Sequence, residues 1–227
     1  KGLKLPLAKA KAALESGRQK LFAAREKRLP PLRDEKILTA WNGLVIEALA
    51  LGARVLKDET YLDAAQRASL FILEKMTHNR RLYRAYHEGK AYLDAYLDDY
   101  AFLTAAFLEL ANADAHGPWL KAALRLQQSL DQWYGDKEGG AYFMTAHDAE
   151  TLLVREKPSF DGALPSGNSI AIANLIRLAE WTADKNYSEK AQQALSLYSA
   201  SATETPMAFT DLLLAVEWWH APRKEIV

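Results

Sequence analysis

Apolar positions recur at helical spacing through most of the chain, and the pattern restarts three times after a polar stretch. The restarts are Trp41-Asn42-Gly43, Asp99-Tyr100-Ala101 and Gly167-Asn168-Ser169. Aligned on Asn42, Tyr100 and Asn168, the copies agree in four columns. Seven positions on stand Leu49, Phe107 and Leu175; eleven on, Ala53, Ala111 and Ala179. Nineteen on stand Tyr61, Trp119 and Tyr187; twenty-three on, Ala65, Ala123 and Ala191. Small residues in register suit close helix–helix approach, and large apolar ones fill the space beside them. Each unit is two helices joined by a short polar turn, such as Lys57-Asp58-Glu59, which describes an αα-hairpin. A repeat of such units predicts an all-α fold, a ring of helical hairpins.

The residues beyond each second helix are β-prone. Arg81 to His87 alternates and meets the turn Glu88-Gly89-Lys90, which predicts a β-hairpin. Gly139 to Met144 reads as a second strand, paired with Leu152-Leu153-Val154. Leu7 to Arg28 is amphipathic and reads as the second helix of a preceding hairpin, stopped by Pro30-Pro31. Pro206 opens a last helix through Trp218 and Trp219, and Pro222 ends it. The expectation is about eight helices: a partial toroid over residues 1–221, with 222–227 starting a strand that the chain does not finish. The chain therefore reads as a piece of a longer protein.

Composition narrows the function. Lys plus Arg number 29 and Asp plus Glu number 29, so the net charge is zero. Without a basic block there is no electrostatic case for nucleic acid or an anionic membrane. No apolar run approaches the roughly 18–20 residues that span a bilayer. Cysteine is absent, which removes disulfides, thiolate metal sites and a Cys nucleophile. No two of the five histidines fall at a metal-binding spacing, so neither a metal nor a cofactor is expected. The expected compartment is the cytoplasm, with which the lack of Cys is compatible.

The first helix of each unit is the more apolar, as the inner helix of a ring should be; Ile170 to Ile176 is hydrophobic nearly all round. Each inner helix begins with polar and aromatic residues: Asp34, Lys36, Trp41 and Asn42; Asp94, Asp98, Asp99 and Tyr100; Asp161, Ser166, Asn168 and Ser169. If the hairpins point the same way, these starts converge on one mouth. Aromatic faces with carboxylates and amides suit a polyhydroxylated ligand. Asp, Asn and Ser at helix starts also serve as caps, and Asp98 and Asp99, being adjacent, can divide the two tasks. His87 and His147 follow the two expected strands and are a further acid–base option.

Four segments carry a family resemblance. Asp34 to Leu44, Leu97 to Leu103, Asp161 to Ser169, and Pro222-Arg223-Lys224-Glu225-Ile226 resemble the thioredoxin-domain-containing family that includes spermatogenesis-associated protein 20. The resemblance spans Leu32 to Val227. It implies an N-terminal thioredoxin-like domain followed by a six-hairpin (α/α) toroid similar to glycosidases and N-acylglucosamine epimerases, of which this chain is the later part. Partners would then be that thioredoxin-like domain and the absent hairpins. Epimerase-like toroids use paired His and glycosidase-like toroids use carboxylates. The residues here favour carboxylates.

Two functions are therefore expected to compete. In the first, a carbohydrate-active enzyme, Asp98, Asp99 and Asp161 do acid–base work. Trp41 and Tyr100 stack on the sugar, while Asp34, Lys36, Asn42, Ser166 and Asn168 hold its hydroxyls. In the second, the toroid is a non-catalytic module that binds a partner while a thioredoxin-like domain does redox work. An incomplete ring exposes apolar faces, so a homodimer is also expected.

Overall fold

A computed structural model describes residues 6–222. The expected strand at Lys224–Val227 lies outside the described residues. The chain divides into two compact units at the Glu35/Lys36 junction. The first holds helix α1 (Leu7–Glu26), with Leu7, Leu14 and Leu21 seven apart on one exposed face.

The second unit carries the repeat. Its helices are α2 (Thr39–Leu56), α3 (Glu59–Lys75), α4 (Leu97–Ala113), α5 (Trp119–Trp133), α6 (Gly167–Thr182), α7 (Lys185–Glu204) and α8 (Thr210–His220). With α1 they make eight among the described residues. α2, α4, α6 and α8 pack side by side in that order. α3, α5 and α7 each fold back on the helix before them, so the chain alternates between an inner and an outer row. Pro206 starts a single 3₁₀ turn, and α8 follows at Thr210.

The repeat columns explain this packing. Ala65, Ala123 and Ala191, one on each outer helix, are all fully buried, as are Phe107 and Leu175 on the inner row. Gly43 lets α2 lie against α4: a Cβ there would come within 2.8 Å of the Phe102 backbone. α4, flanked by α2 and α6 and backed by α5, is sealed on all sides. Every residue from Leu97 to Ala111 is buried except Asp98. Two of the outer helices, α3 and α7, start on side-chain caps, Asp58 accepting from the Thr60 N–H and Asp184 from that of Asn186.

A small antiparallel sheet covers one end of the row. β3 (Arg81–His87) pairs with β4 (Lys90–Asp94) across the expected turn, where Glu88 and Gly89 take positive φ. β1 (Ile37–Leu38) adds on the other side of β3, and β2 (Thr77–His78) pairs with its start. The second expected hairpin is not a ladder. Tyr142 makes one isolated bridge to Gly135, and Leu152 to Val154 lie exposed in a loop. The reason is local: Gly140 and Ala141 both take positive φ, which breaks extended pairing, and Asn168 bonds both backbone groups of Tyr142.

Candidate functional site: the N-terminal ends of the inner helices

The inner helices run parallel, so their starts meet, and hydrogen bonds tie them together. Asp99 lies in the first turn of α4. One carboxylate oxygen accepts the Ala40 N–H of α2 at 2.9 Å, and the other accepts the Tyr96 N–H at 2.8 Å. Arg84, on β3, brings its guanidinium to 3.4 Å from the second oxygen. Asp99 is completely buried, and that burial pushes its pKa up to about 6 against the pull of those donors.

Asp161 is occupied in the same way. It accepts the Ser166 N–H at the start of α6 with one oxygen, and the Asp211 and Leu212 N–H groups at the start of α8 with the other. Asn168 is fully buried; it accepts from the Tyr142 N–H and donates to the carbonyls of Tyr142 and Pro158. Ser166 caps α6 by accepting the Ser169 N–H. The Tyr100 hydroxyl accepts the Leu82 N–H, and its ring packs on Tyr134 inside the core. These five side chains hold the mouth together, and their polar atoms are spent doing so.

Asp98 differs from its neighbour. It is half-buried on the first turn of α4, with a carboxylate oxygen close to Gly167 at the start of α6. A Cβ on Gly167 would fall 2.4 Å from an Asp98 oxygen, so glycine is what allows the approach. Burial raises the Asp98 pKa; the Arg84 charge and the Gly167 N–H oppose the rise. Arg84 also lies over the Tyr96 ring, 4.8 Å from its centroid. Asp98, Arg84, Tyr96 and the first turn of α6 therefore form one polar group at this end of the row.

The remaining expected residues are placed differently. Trp41 is 59% exposed on α2, and the Asn42 amide donates to the Leu38 carbonyl. Lys36 is exposed just before β1, whereas Asp34 belongs to the first unit. His147 stacks on Trp133 at 4.9 Å, and His87 pairs with Lys90 beside the β3–β4 turn. Arg84 and Tyr96 did not emerge from the sequence. Their signal was an Arg on an alternating strand whose register brings it to the start of the next inner helix.

Comparison with known proteins places this geometry. The chain is 33% identical over 225 residues to spermatogenesis-associated protein 20 of Homo sapiens, covering 94% of this chain and 29% of that protein. Over nearly its whole length the chain is homologous to the spermatogenesis-associated protein 20 proteins. The chain thus spans about 29% of the length of the curated relatives it matches. No family model matches the chain. Among solved structures, a GH76 α-mannanase of Bacteroides thetaiotaomicron superposes with a TM-score of 0.66 at 13% identity, covering 86% of this chain and 54% of that one. Cellobiose 2-epimerase of Bacillus thermoamylovorans superposes at 0.62 with 19% identity, covering 75% and 46%. An α-1,6-mannanase of Salegentibacter sp., solved as an inactive variant changed at two consecutive aspartates and holding α-1,6-mannotetrose, gives 0.57 with 15% identity, covering 71% and 47%. The fold is that of the (α/α) toroids, with four inner and three outer helices among the described residues of the second unit. Among the described residues no helix is long and apolar enough to cross a membrane.

Proposed function

We propose that this region is the sugar-binding half of a carbohydrate-active toroid, with its mouth at the N-terminal ends of the inner helices and Asp98 as its acid–base group. The observation that carries the reading is the contrast on α4: Asp98 alone escapes burial between Leu97 and Ala111, and it keeps acceptor capacity that Asp99 and Asp161 have spent. A carboxyl whose pKa is raised by burial holds its proton closer to neutral pH, which is what a general acid needs. Arg84 beside it stabilises the carboxylate once the proton has left, and offers N–H donors to a hydroxyl. Tyr96, under Arg84, and the exposed Trp41 supply aromatic faces. The mannanase inactivated at two consecutive aspartates supports the assignment, since Asp98 and Asp99 are consecutive here.

Glycoside cleavage uses two carboxyl groups, and epimerisation needs two proton-transferring groups. On this reading Asp99 positions the first turn of α4, and the partner of Asp98 comes from the part of the full-length protein outside this chain. The test is turnover by the full-length protein on a panel of α-mannosides, β-glucosides and cellobiose. Asp98→Asn should abolish turnover with the fold intact. Turnover by Asp98→Asn at the parent rate rejects the reading.

A second reading has its own support. The capping of Asp99, Asp161 and Asn168 is what a purely structural ring end would show. In that case the toroid is a non-catalytic binding module beside a thioredoxin-like domain in the cytoplasm, and sugar binding without turnover, or none, is the outcome.

A further inference from the structure

At the opposite end of the inner row lies a cavity of about 830 Å³, walled by the C-terminal halves of α2, α4, α6 and α8. That volume is within the range of small-molecule sites, roughly 300–1,000 Å³. Its polar wall is an ion-pair strap. Arg177 on α6 donates to Glu109 on α4 at 2.9 Å, and Arg54 on α2 bonds the other oxygen of Glu109. With the Asn112 amide also donating to it at 3.4 Å, Glu109 is fully matched.

Glu47 on α2 is not. Its contact with Arg177 is 3.6 Å, beyond a hydrogen bond, and the same guanidinium is already committed to Glu109. Glu47 lines the cavity with its side chain one-third exposed. The groups that face it are Arg177 from α6, Glu109 from α4 and Asp211 from α8; burial and the two carboxylates hold its pKa above the ordinary value, against Arg177. Leu51, Ile176 and the half-exposed Trp218 of α8 give the wall its apolar part, and Asn112 and Glu180 complete its polar part. Four parallel helices also end here, each bringing the negative end of its dipole.

A half-matched carboxylate, an indole face, an apolar wall and converging helix C-termini all favour a positive charge on an apolar body. We infer that this cavity binds a small organic cation, an alkylammonium, with Glu47 taking the charge and Trp218 the alkyl or ammonium face. The site is separate from Asp98 and independent of the sugar reading. Because the bound form needs the carboxylate, affinity rises with pH as Glu47 ionises.

The test is calorimetric titration of the full-length protein with n-butylammonium and tetramethylammonium, with n-butanol as neutral control and cellobiose alongside. Ammonium binding should weaken about tenfold or more in Glu47→Gln, as expected for loss of a charged contact. It should weaken again in Trp218→Leu, a surface change that keeps the proposal testable if Glu47→Gln misfolds. Asp98→Asn should leave it unchanged. The inference is overturned if neither ammonium binds, if n-butanol binds as well, or if folded Glu47→Gln keeps parent affinity. Cellobiose binding lost in Glu47→Gln and kept in Asp98→Asn also overturns it, and moves the sugar to this end.

Discussion

Replacing Asp99 with Asn separates the two forces acting on that carboxyl. In the folded chain Asp99 holds its proton up to about pH 6, against 3.8 for an ordinary aspartate. Between those values the folded state binds the proton and the unfolded state does not, so stability falls as pH rises. The contribution is complete below about pH 4 and is lost as pH passes 6. At 1.36 kcal/mol per unit the whole change is about 3 kcal/mol. Asn cannot ionise, so the variant lacks this slope. Asn also has one acceptor where two backbone donors, Ala40 N–H and Tyr96 N–H, must be met. One donor is left unmatched at a cost of about 1–3 kcal/mol. The variant should therefore be less stable at pH 4.5 by about that amount, and the gap should close or reverse by pH 7.5. Urea midpoints by tryptophan fluorescence, for parent and variant across that range, give the difference directly. A gap that stays constant or widens with pH would mean that Asp99 is ionised throughout, with Arg84 and the two N–H groups outweighing burial.

Other changes have firm directions. Gly43→Ala drives a Cβ into the Phe102 backbone and should cost about 1–3 kcal/mol in a urea unfolding curve. Asn168→Ala leaves the buried Tyr142 N–H without its acceptor and should cost about 1–3 kcal/mol, with the loop before α6 becoming the first site of proteolysis. The outer flank of α2 exposes Trp41, Val45 and Val55 in one stripe, so light scattering of this chain should give more than a monomer mass. Val45→Glu with Val55→Glu should restore a monomer, and a monomeric parent would contradict the expectation.

The ring was legible because its repeat is written in small residues. Ala65, Ala123 and Ala191 occupy one column of the sequence and one buried layer of the structure. The first β-hairpin was legible from alternation and a Glu-Gly turn. The second was not, because its backbone is claimed by Asn168, 26 residues away from Tyr142. The site was readable only as a set. Asp98 and Asp99 are alike in sequence, and what separates them is a donor 59 residues distant, Ala40, which takes Asp99 out of the mouth. Asp161 is likewise taken by α8, 50 residues on. Side-chain roles fixed by such long-range partners are absent from local pattern, whereas helix faces are not.

A crystal structure of the full-length protein soaked with the mannoside, glucoside and cellobiose panel would show where a sugar binds. A sugar is expected at the N-terminal ends of the inner helices, with a hydroxyl or glycosidic oxygen within hydrogen-bond reach of Asp98 and Arg84 in contact with it. A sugar bound elsewhere, or a mouth filled by the protein's own side chains against Asp98, would contradict that expectation.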